Sequence, residues 1–204
     1  MENLEIQIYA KNPKGIQERL KSAKVAVVGL GGLGSNLAVM LARAGVGQLL
    51  LIDYDKVEPS NLNRQHYSTK HIGTPKTKAL YEQLSEINPF TTLYTKNVKI
   101  NDNNVEQLLT GYDVICEALD NPKTKAMLVN TALEKLSAYV VAASGMAGIG
   151  SANNIKTTHP MKRLYVCGDM TTDEKEGITA PMANLCAAHQ ANTVLRILNE
   201  LYEI

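Results

Sequence analysis

The sequence predicts an α/β fold, a Rossmann-like and mainly parallel sheet with helices on both faces, plus a C-terminal antiparallel extension and a final helix. Three observations carry that expectation. Short, almost continuously apolar runs alternate with segments of helical periodicity, as strands buried on both faces require. The first run, "VVGLGGLGSN" (27–36), leads through glycines into a helix. After Ser144 the texture changes to short mixed segments that suit antiparallel pairing.

The elements follow in chain order. "KVAVVGL" (24–30) reads as a buried strand and "GLGSNLAVMLARAG" (32–45) as a helix ended by Gly45. "QLLLIDYD" (48–55) is the second strand. In "GTPKTKALYEQLSEINP" (73–89), Thr74 is read as the N-cap, Pro75 as the first helical residue and Pro89 as the residue past the end. Another strand lies within "TTLYTKNVKI" (91–100). "YDVICEALD" (112–120) and "AYVVAAS" (138–144) are two more, connected by the helical "NPKTKAMLVNTALEKL" (121–136). "MTTDEKEGITAP" (170–181) reads as a polar loop and "MANLCAAHQANTVLRILNELY" (182–202) as the last helix.

Bulk properties narrow the function classes. With 204 residues, the chain can bury one good core, and a single domain is expected. Lys and Arg number 21 against 20 Asp and Glu, a net charge of +1, so nothing draws the chain to nucleic acid or an anionic membrane. No apolar run approaches the ~20 residues that span a bilayer. The start, "MENLEIQIYAKNPKG", lacks the basic-then-apolar layout of a secretory signal, and a cytoplasmic location is expected. Cys116, Cys167 and Cys186 are widely spaced and odd in number, which argues against a disulfide framework.

Gly29, Gly31 and Gly34 satisfy G-x-G-x-x-G, with Gly32 in addition. Gly31 and Gly32 let the backbone approach an anion, and the helix that follows offers free N–H groups and a positive dipole end. Asp53 closes the second strand nineteen residues after Gly34, where a carboxylate can accept from ribose hydroxyls. This arrangement indicates a nucleotide and leaves open whether it is NAD or ATP. Arg64 and Lys76 follow in "DYDKVEPSNLNRQHYSTKHIGTPKTKAL". Taken singly each is a surface ion-pair residue; together they suit the charge developing on a triphosphate, which hydride transfer does not need. Asp120 and Asn121 fall at the carboxyl end of a strand, where open parallel sheets bind ligands. Asp120 could hold Mg²⁺ through oxygen or share a helix-capping role with Asn121.

"GLGGLGSN", "LIDYDKVEPSNLNRQ", "GTPK", "ALDN" and "GITAP" occur in the order and approximate spacing of the ThiF/MoeB family, the adenylating enzymes related to ubiquitin-activating enzymes. The resemblance covers roughly residues 15–200 and is most like the short ThiF-type proteins of bacterial thiamine biosynthesis. It implies a homodimeric adenylyltransferase that uses ATP and Mg²⁺ to activate the C-terminal Gly-Gly of a ThiS-like, ubiquitin-like sulfur carrier, releasing pyrophosphate. It implies a nucleotide-binding part at about 23–144 and a carrier-binding and crossover-loop part at about 145–204. Gly31 and Gly32 would lie against the nucleotide and Asp53 would bind ribose. Ser60, Asn61, Leu62, Asn63 and Arg64 would line it, with Asn61, Arg64 and Lys76 on the phosphates. Asp120, with Asn121 beside it, would position Mg²⁺. A terminal carboxylate is already ionised at pH 7, so catalysis by Arg64, Lys76 and Asp120 needs alignment and charge stabilisation rather than a general base.

Three departures from the family pattern bear on chemistry. Relatives carry two C-x-x-C zinc pairs, whereas "YVCGD" retains only Cys167, so no structural zinc is expected, although Cys186 and His189 share a helical face. "TTDEKEGITAP" has no cysteine, which argues against a covalent thioester or persulfide step in that loop. Relatives supply an N-terminal arginine to the partner's site; Lys11, Lys14 and Arg19 are the residues available here. Three other readings stand beside the main one: activation of the molybdopterin sulfur carrier, an NAD-dependent oxidoreductase, and a non-catalytic scaffold.

Overall fold

Strands that are apolar on both faces have one stable place, between two helical layers. In the computed structural model, which describes residues 2–203, such strands form the centre of a single sheet. They are β1 (Lys24–Val28), β2 (Gln48–Asp53), β4 (Val114–Glu117) and β5 (Tyr139–Ala143). β3 (Thr92–Asn97) closes one side; β7 (Leu164–Gly168) and β6 (Lys156–Met161) extend the other, in the order β3-β2-β1-β4-β5-β7-β6. All pairings are parallel except β6 with β7.

Side-chain alternation divides the core in two. Val25, Val27, Leu49, Leu51 and Cys116 face the layer of α3 (Gly34–Ala44), α4 (Lys76–Ile87) and α7 (Ala180–Leu198). Ala26, Val28, Leu50, Ile52 and Ile115 face α5 (Val105–Leu109) and α6 (Pro122–Lys135). Two short helices, α1 (Glu2–Tyr9) and α2 (Gln17–Ser22), precede the sheet. From β1 the chain crosses to β2 on one side, and from β4 to β5 on the other. The connections leaving the carboxyl ends of the adjacent strands β1 and β4 therefore run to opposite faces at a topological switch point, which is where an open α/β sheet leaves room for a ligand.

The expected class is the observed one, with local differences that have physical causes. β7 pairs parallel with β5, so the extension after Ser144 is antiparallel only at the outermost strand, β6. Thr74 does not cap α4: that helix begins at Lys76, Pro75 takes the cap position, and no side chain bonds there. The reason is tertiary. The Thr74 carbonyl accepts from Val57 N–H and Pro75 forms an antiparallel bridge with Lys56, so the segment is held against residues 56–57 until the bridge ends. The final helix starts two residues earlier than its apolar pattern suggests and stops at Leu198, leaving Leu201 and Tyr202 outside. α1, α2 and the five-residue α5 are too short or too polar to show helical periodicity.

Gly45 does end α3, at φ 94°, and Asn121 caps α6 by accepting from the N–H groups of Lys123 and Thr124. Gly29 also has positive φ, 92°, and its missing Cβ leaves room for the Ala118 carbonyl of the neighbouring strand end. A Cβ on Gly34 would overlap the Gly29 carbonyl oxygen, so the helix can close onto the loop only with glycine there. Gly34→Ala should lower the free energy of unfolding in urea by about 1–3 kcal/mol. Gly150→Ala, with open space around its Cβ, should change it by less than about 0.5 kcal/mol. Equal midpoints for the two variants would show that the loop yields.

Candidate functional site

The carboxyl edge at the switch point opens into a cleft of about 760 Å³. One wall is the glycine loop, held from four directions. The Asp53 carboxylate accepts from Leu30 N–H at 2.6 Å and from Asp55 N–H at 2.8 Å, joining the loop to the end of β2. Tyr67 Oη donates to the Leu30 carbonyl at 2.9 Å, and its burial pushes the phenol's pKa well above its usual value. Ser35 Oγ donates to the Gly31 carbonyl, and Asn36 Nδ2 to the carbonyls of Gly32 and Arg64. Among the described residues, nothing accepts from the N–H groups of Gly31, Gly32, Leu33 and Gly34. They are the free donors of a helix N-terminus.

The cations come from the segment after β2. Arg64 lies against Gly32, its aliphatic carbons 3.2 Å from where a Cβ there would sit. Its Nη1 donates to the Ser60 carbonyl at 3.1 Å and to Asn63 Oδ1 at 2.8 Å, which orients the guanidinium on the cleft wall. Lys76 is buried at the start of α4, and its ammonium reaches Asp55 Oδ2 at 3.0 Å. The Lys56–Pro75 bridge, with Lys76 N–H donating to the Asp55 carbonyl, is what delivers it there. Asp120, by contrast, is exposed in the cleft and makes no hydrogen bond or ion pair within the described residues.

Of the residues singled out in the sequence, Gly31, Gly32, Asp53, Arg64, Lys76, Asp120 and Asn121 line this one cleft. Ser60, Asn61, Leu62 and Asn63 do not. Asn61 is buried, and its Oδ1 accepts from Glu58 N–H across a 3-10 turn (Pro59–Asn61), while its carbonyl accepts from Arg64 N–H. Asn63 Nδ2 donates to the Ile178 carbonyl. These four residues build the turn that presents Arg64. Asn121 has spent its side-chain oxygen on the α6 cap.

Several wall residues escaped the sequence reading. Thr172, Asp173 and Ile178 line the cleft from the loop before α7. That loop is tied by Asp169, whose carboxylate accepts from the N–H groups of Thr171 and Thr172, each at 2.8 Å. Burial raises this carboxyl's pKa, but those N–H groups and the two threonine hydroxyls outweigh it and hold the value below the usual range. Tyr54 and Lys99 also face the cleft, with the ammonium 5.3 Å from the ring centroid; the Asp55 charge pushes the phenol pKa up. Ser35 and Asn36, which tie the glycine loop, had a readable signal, two polar residues at the start of a helix that is apolar from there to Arg43 in its last turn.

Glu117, at the end of β4, is fully buried. Lys125 Nζ donates to both of its oxygens, at 2.9 and 2.7 Å, and to the Leu119 carbonyl at 3.0 Å. Leu119 N–H donates back to Glu117 at 2.7 Å, and Gln190 Nε2 donates to the Glu117 carbonyl. Burial pushes the Glu117 pKa up while the lysine opposes it. This knot fixes the strand end from which Asp120 projects.

The cysteines lie elsewhere. All three are buried, and burial raises each thiol's pKa, Cys186 to about 12, so none is a thiolate at neutral pH. Cys186 Sγ donates to the Cys167 carbonyl, and Thr157 Oγ1 stands 3.0 Å from His189 Nδ1. Among the described residues, no three His, Cys, Asp or Glu side chains are grouped to hold a metal ion.

A doubly wound sheet with free loop N–H groups, an acidic β2 end and two cations around one cleft defines a nucleotide-binding α/β enzyme. The ThiF family profile matches residues 3–203, and the chain belongs to that family. It is 34% identical over 188 residues to the molybdopterin-synthase adenylyltransferase of Salmonella typhimurium, covering 89% of this chain and 75% of that protein. It is 31% identical to the adenylyltransferase and sulfurtransferase UBA4 of Saccharomyces cerevisiae, over 91% of this chain but only 44% of UBA4. Both relatives are adenylyltransferases by name, and the chain is an enzyme of that class. The fold is also that of the E. coli tRNA N6-threonylcarbamoyladenosine dehydratase TcdA solved with ATP, at TM-score 0.87 and 21% identity, covering 95% of this chain and 93% of that one. E. coli MccB with ATP aligns at TM-score 0.76 and 25% identity, over 99% of this chain and 63% of MccB.

Lys125→Met leaves the Glu117 carboxyl buried and unpaired, and should cost about 3–5 kcal/mol in urea unfolding. Glu117→Gln with Lys125→Met should cost less than the single change, because no buried charge is stranded. A single-variant loss below about 1 kcal/mol would show that the pair does not hold the strand end.

Proposed function

We propose that the chain adenylates the C-terminal Gly-Gly carboxylate of a small ubiquitin-like sulfur carrier with ATP, releasing pyrophosphate, and that the carrier is ThiS-like. The observation that carries this reading is the convergence of Arg64, Lys76 and Asp120 on the cleft that also holds the free N–H groups of the glycine loop. An NAD enzyme has no joint use for those three side chains. The attacking carboxylate is ionised at neutral pH, so this chain's task is to hold it in line and to spread charge over the phosphate oxygens. Arg64 and Lys76 supply fixed positive charge, and the loop N–H groups supply neutral donors. In this reading the Asp53 carboxylate, which lines the cleft, accepts from ribose hydroxyls beside the two backbone N–H groups it already holds.

Asp120 fits a Mg²⁺ ion, because that cation is bound through one or two carboxylates and substrate phosphates and needs no all-protein cage. Its carboxylate is exposed in the cleft and unspent. Mg²⁺ held there would neutralise phosphate charge and orient the pyrophosphate leaving group. The buried, neutral thiols support adenylation without a covalent cysteine step, and the single Cys167 supports a chain without structural zinc.

The reading extends to a single adenylation domain, acting as a homodimer in the cytoplasm. Among the described residues no helix is long and apolar enough to cross a membrane. Lys11, Lys14 and Arg19 are the residues that could reach a partner's cleft; Arg19 makes only an exposed ion pair with Glu200 of its own chain, at 2.8 Å. One observation favours a second carrier: a relative at 34% identity is named for molybdopterin synthase, so the molybdopterin sulfur carrier is the alternative substrate.

ATP–pyrophosphate exchange tests the proposal, run with each carrier ending in a free glycine carboxylate. Arg64→Ala, Lys76→Ala and Asp120→Ala should each reduce exchange by roughly 10²–10³-fold. A folded protein lacking all three cysteines should retain it. Exchange that persists in Arg64→Ala and Asp120→Ala, or that never depends on a carrier, sinks the assignment. The carrier giving the higher kcat/KM identifies the substrate.

A further inference from the structure

Beyond the carboxyl end of β5 the chain stays paired with the segment that leaves β7. The N–H groups of Asp169 and Met170 donate to the Gly145 and Ser144 carbonyls, each at 3.0 Å. The approach is close, since a Cβ on Gly145 would overlap Asp169 Oδ1. Met170 turns the chain there at φ 61°, a conformation that bulky side chains rarely adopt and that persists only where neighbours hold it. Asp169 supplies the hold. Its Oδ1 accepts from the N–H groups of Thr171 and Thr172 and from the Thr171 hydroxyl, and its Oδ2 accepts from the Thr172 hydroxyl at 2.7 Å. Thr172 Oγ1 in turn accepts from Ala147 N–H at 2.9 Å. A hydroxyl that donates to a carboxylate is a stronger acceptor, so the two bonds reinforce each other.

This relay ends on the wall of the cleft. Ser144, Gly145, Met146, Ala147, Thr172 and Ile178 line it, whereas Asp169 does not. Among the described residues, the N–H groups of Gly145 and Met146 and the carbonyls of Met146 and Ala147 make no hydrogen bond. A phosphate satisfies donors alone. An extended peptide main chain satisfies donors and acceptors together. The 144–147 segment therefore suits a polypeptide tail, and the relay from Asp169 fixes it in the middle of its free groups. An ionised carboxylate only accepts, which the four donors around Asp169 require; an amide would turn an N–H toward the threonine hydroxyl.

We propose that Asp169 is a positioning residue for the carboxyl substrate: through Thr172 it sets the 144–147 segment in the register that receives the substrate's C-terminal tail. The inference rests on the adenylation reading above and adds to it a residue outside the cleft.

ATP–pyrophosphate exchange, run with a ThiS-like or molybdopterin-type carrier ending in free glycine, separates the two substrates. Asp169→Asn should raise KM for the carrier about tenfold, with KM for ATP within about twofold and kcat within about threefold. Thr172→Val, which keeps the shape and removes the hydroxyl, should do the same. Thr172→Ser, which keeps the hydroxyl, should stay within about twofold of wild type. Because the two side chains form one link, Asp169→Asn with Thr172→Val should raise KM no further than the worse single change. A carrier KM near the wild-type value in both Asp169→Asn and Thr172→Val overturns the inference and leaves the adenylation reading standing. An equal rise for carrier and ATP, or a loss that follows the melting temperature and persists in Thr172→Ser, overturns it as well, because the relay then only supports the fold. If wild type exchanges with neither carrier, the adenylation reading falls and takes this inference with it. Should Asp169→Asn fail to fold, the valine and serine changes at Thr172 decide alone.

Discussion

The Asp53 carboxylate is the constraint on which the site depends. It sits at the end of β2 with 8% exposure, and each of its oxygens accepts a backbone N–H, from Leu30 of the glycine loop and from Asp55. Charge-assisted bonds of this kind are short and strong in a partly buried setting. Through Leu30 the carboxylate fixes the loop whose next four N–H groups stay free. Through Asp55 it fixes the residue that pairs with Lys76. One side chain thereby sets the spacing between the loop donors and the buried cation.

Around that centre, the cleft is assembled from parts whose polar groups are mostly spent on one another. Asn61 turns the chain so that Arg64 meets Gly32, and Asn36 ties the Arg64 carbonyl to the same loop. Glu117 and Lys125 close the end of β4, and Asp169 ties the loop that forms the opposite wall. Within the cleft, Asp120, the loop N–H groups and the Gln65 carboxamide oxygen have no partner among the described residues.

The thiols show the same economy in reverse. Cys116 and Cys167 come from strands and Cys186 from α7, and they meet in the apolar layer between sheet and helices. Burial raises each thiol's pKa, so at neutral pH the three are packed there as protonated, apolar groups.

Much of this was legible in the sequence because it depends on local pattern. Apolar runs and their spacing specify strands buried on both faces; G-x-G-x-x-G specifies a loop that approaches an anion; Gly45 and Asn121 specify helix ends. Arg64, Lys76 and Asp120 were legible by type and by their place after strands. What the sequence could not determine is how side chains from distant segments use up one another's hydrogen bonds. Asn61 and Asp120 are equally polar, yet the 3-10 turn spends one and the cleft exposes the other. Thr74 has the chemistry of a cap, but residues 74–75 are paired with 56–57, which moves the helix start to Lys76. Glu117 and Lys125, eight residues apart, become a buried pair only when α6 docks on β4. Local propensity acts within a few residues, whereas burial and polar satisfaction are properties of the assembled core, and these decided which of the polar side chains remained free for a ligand.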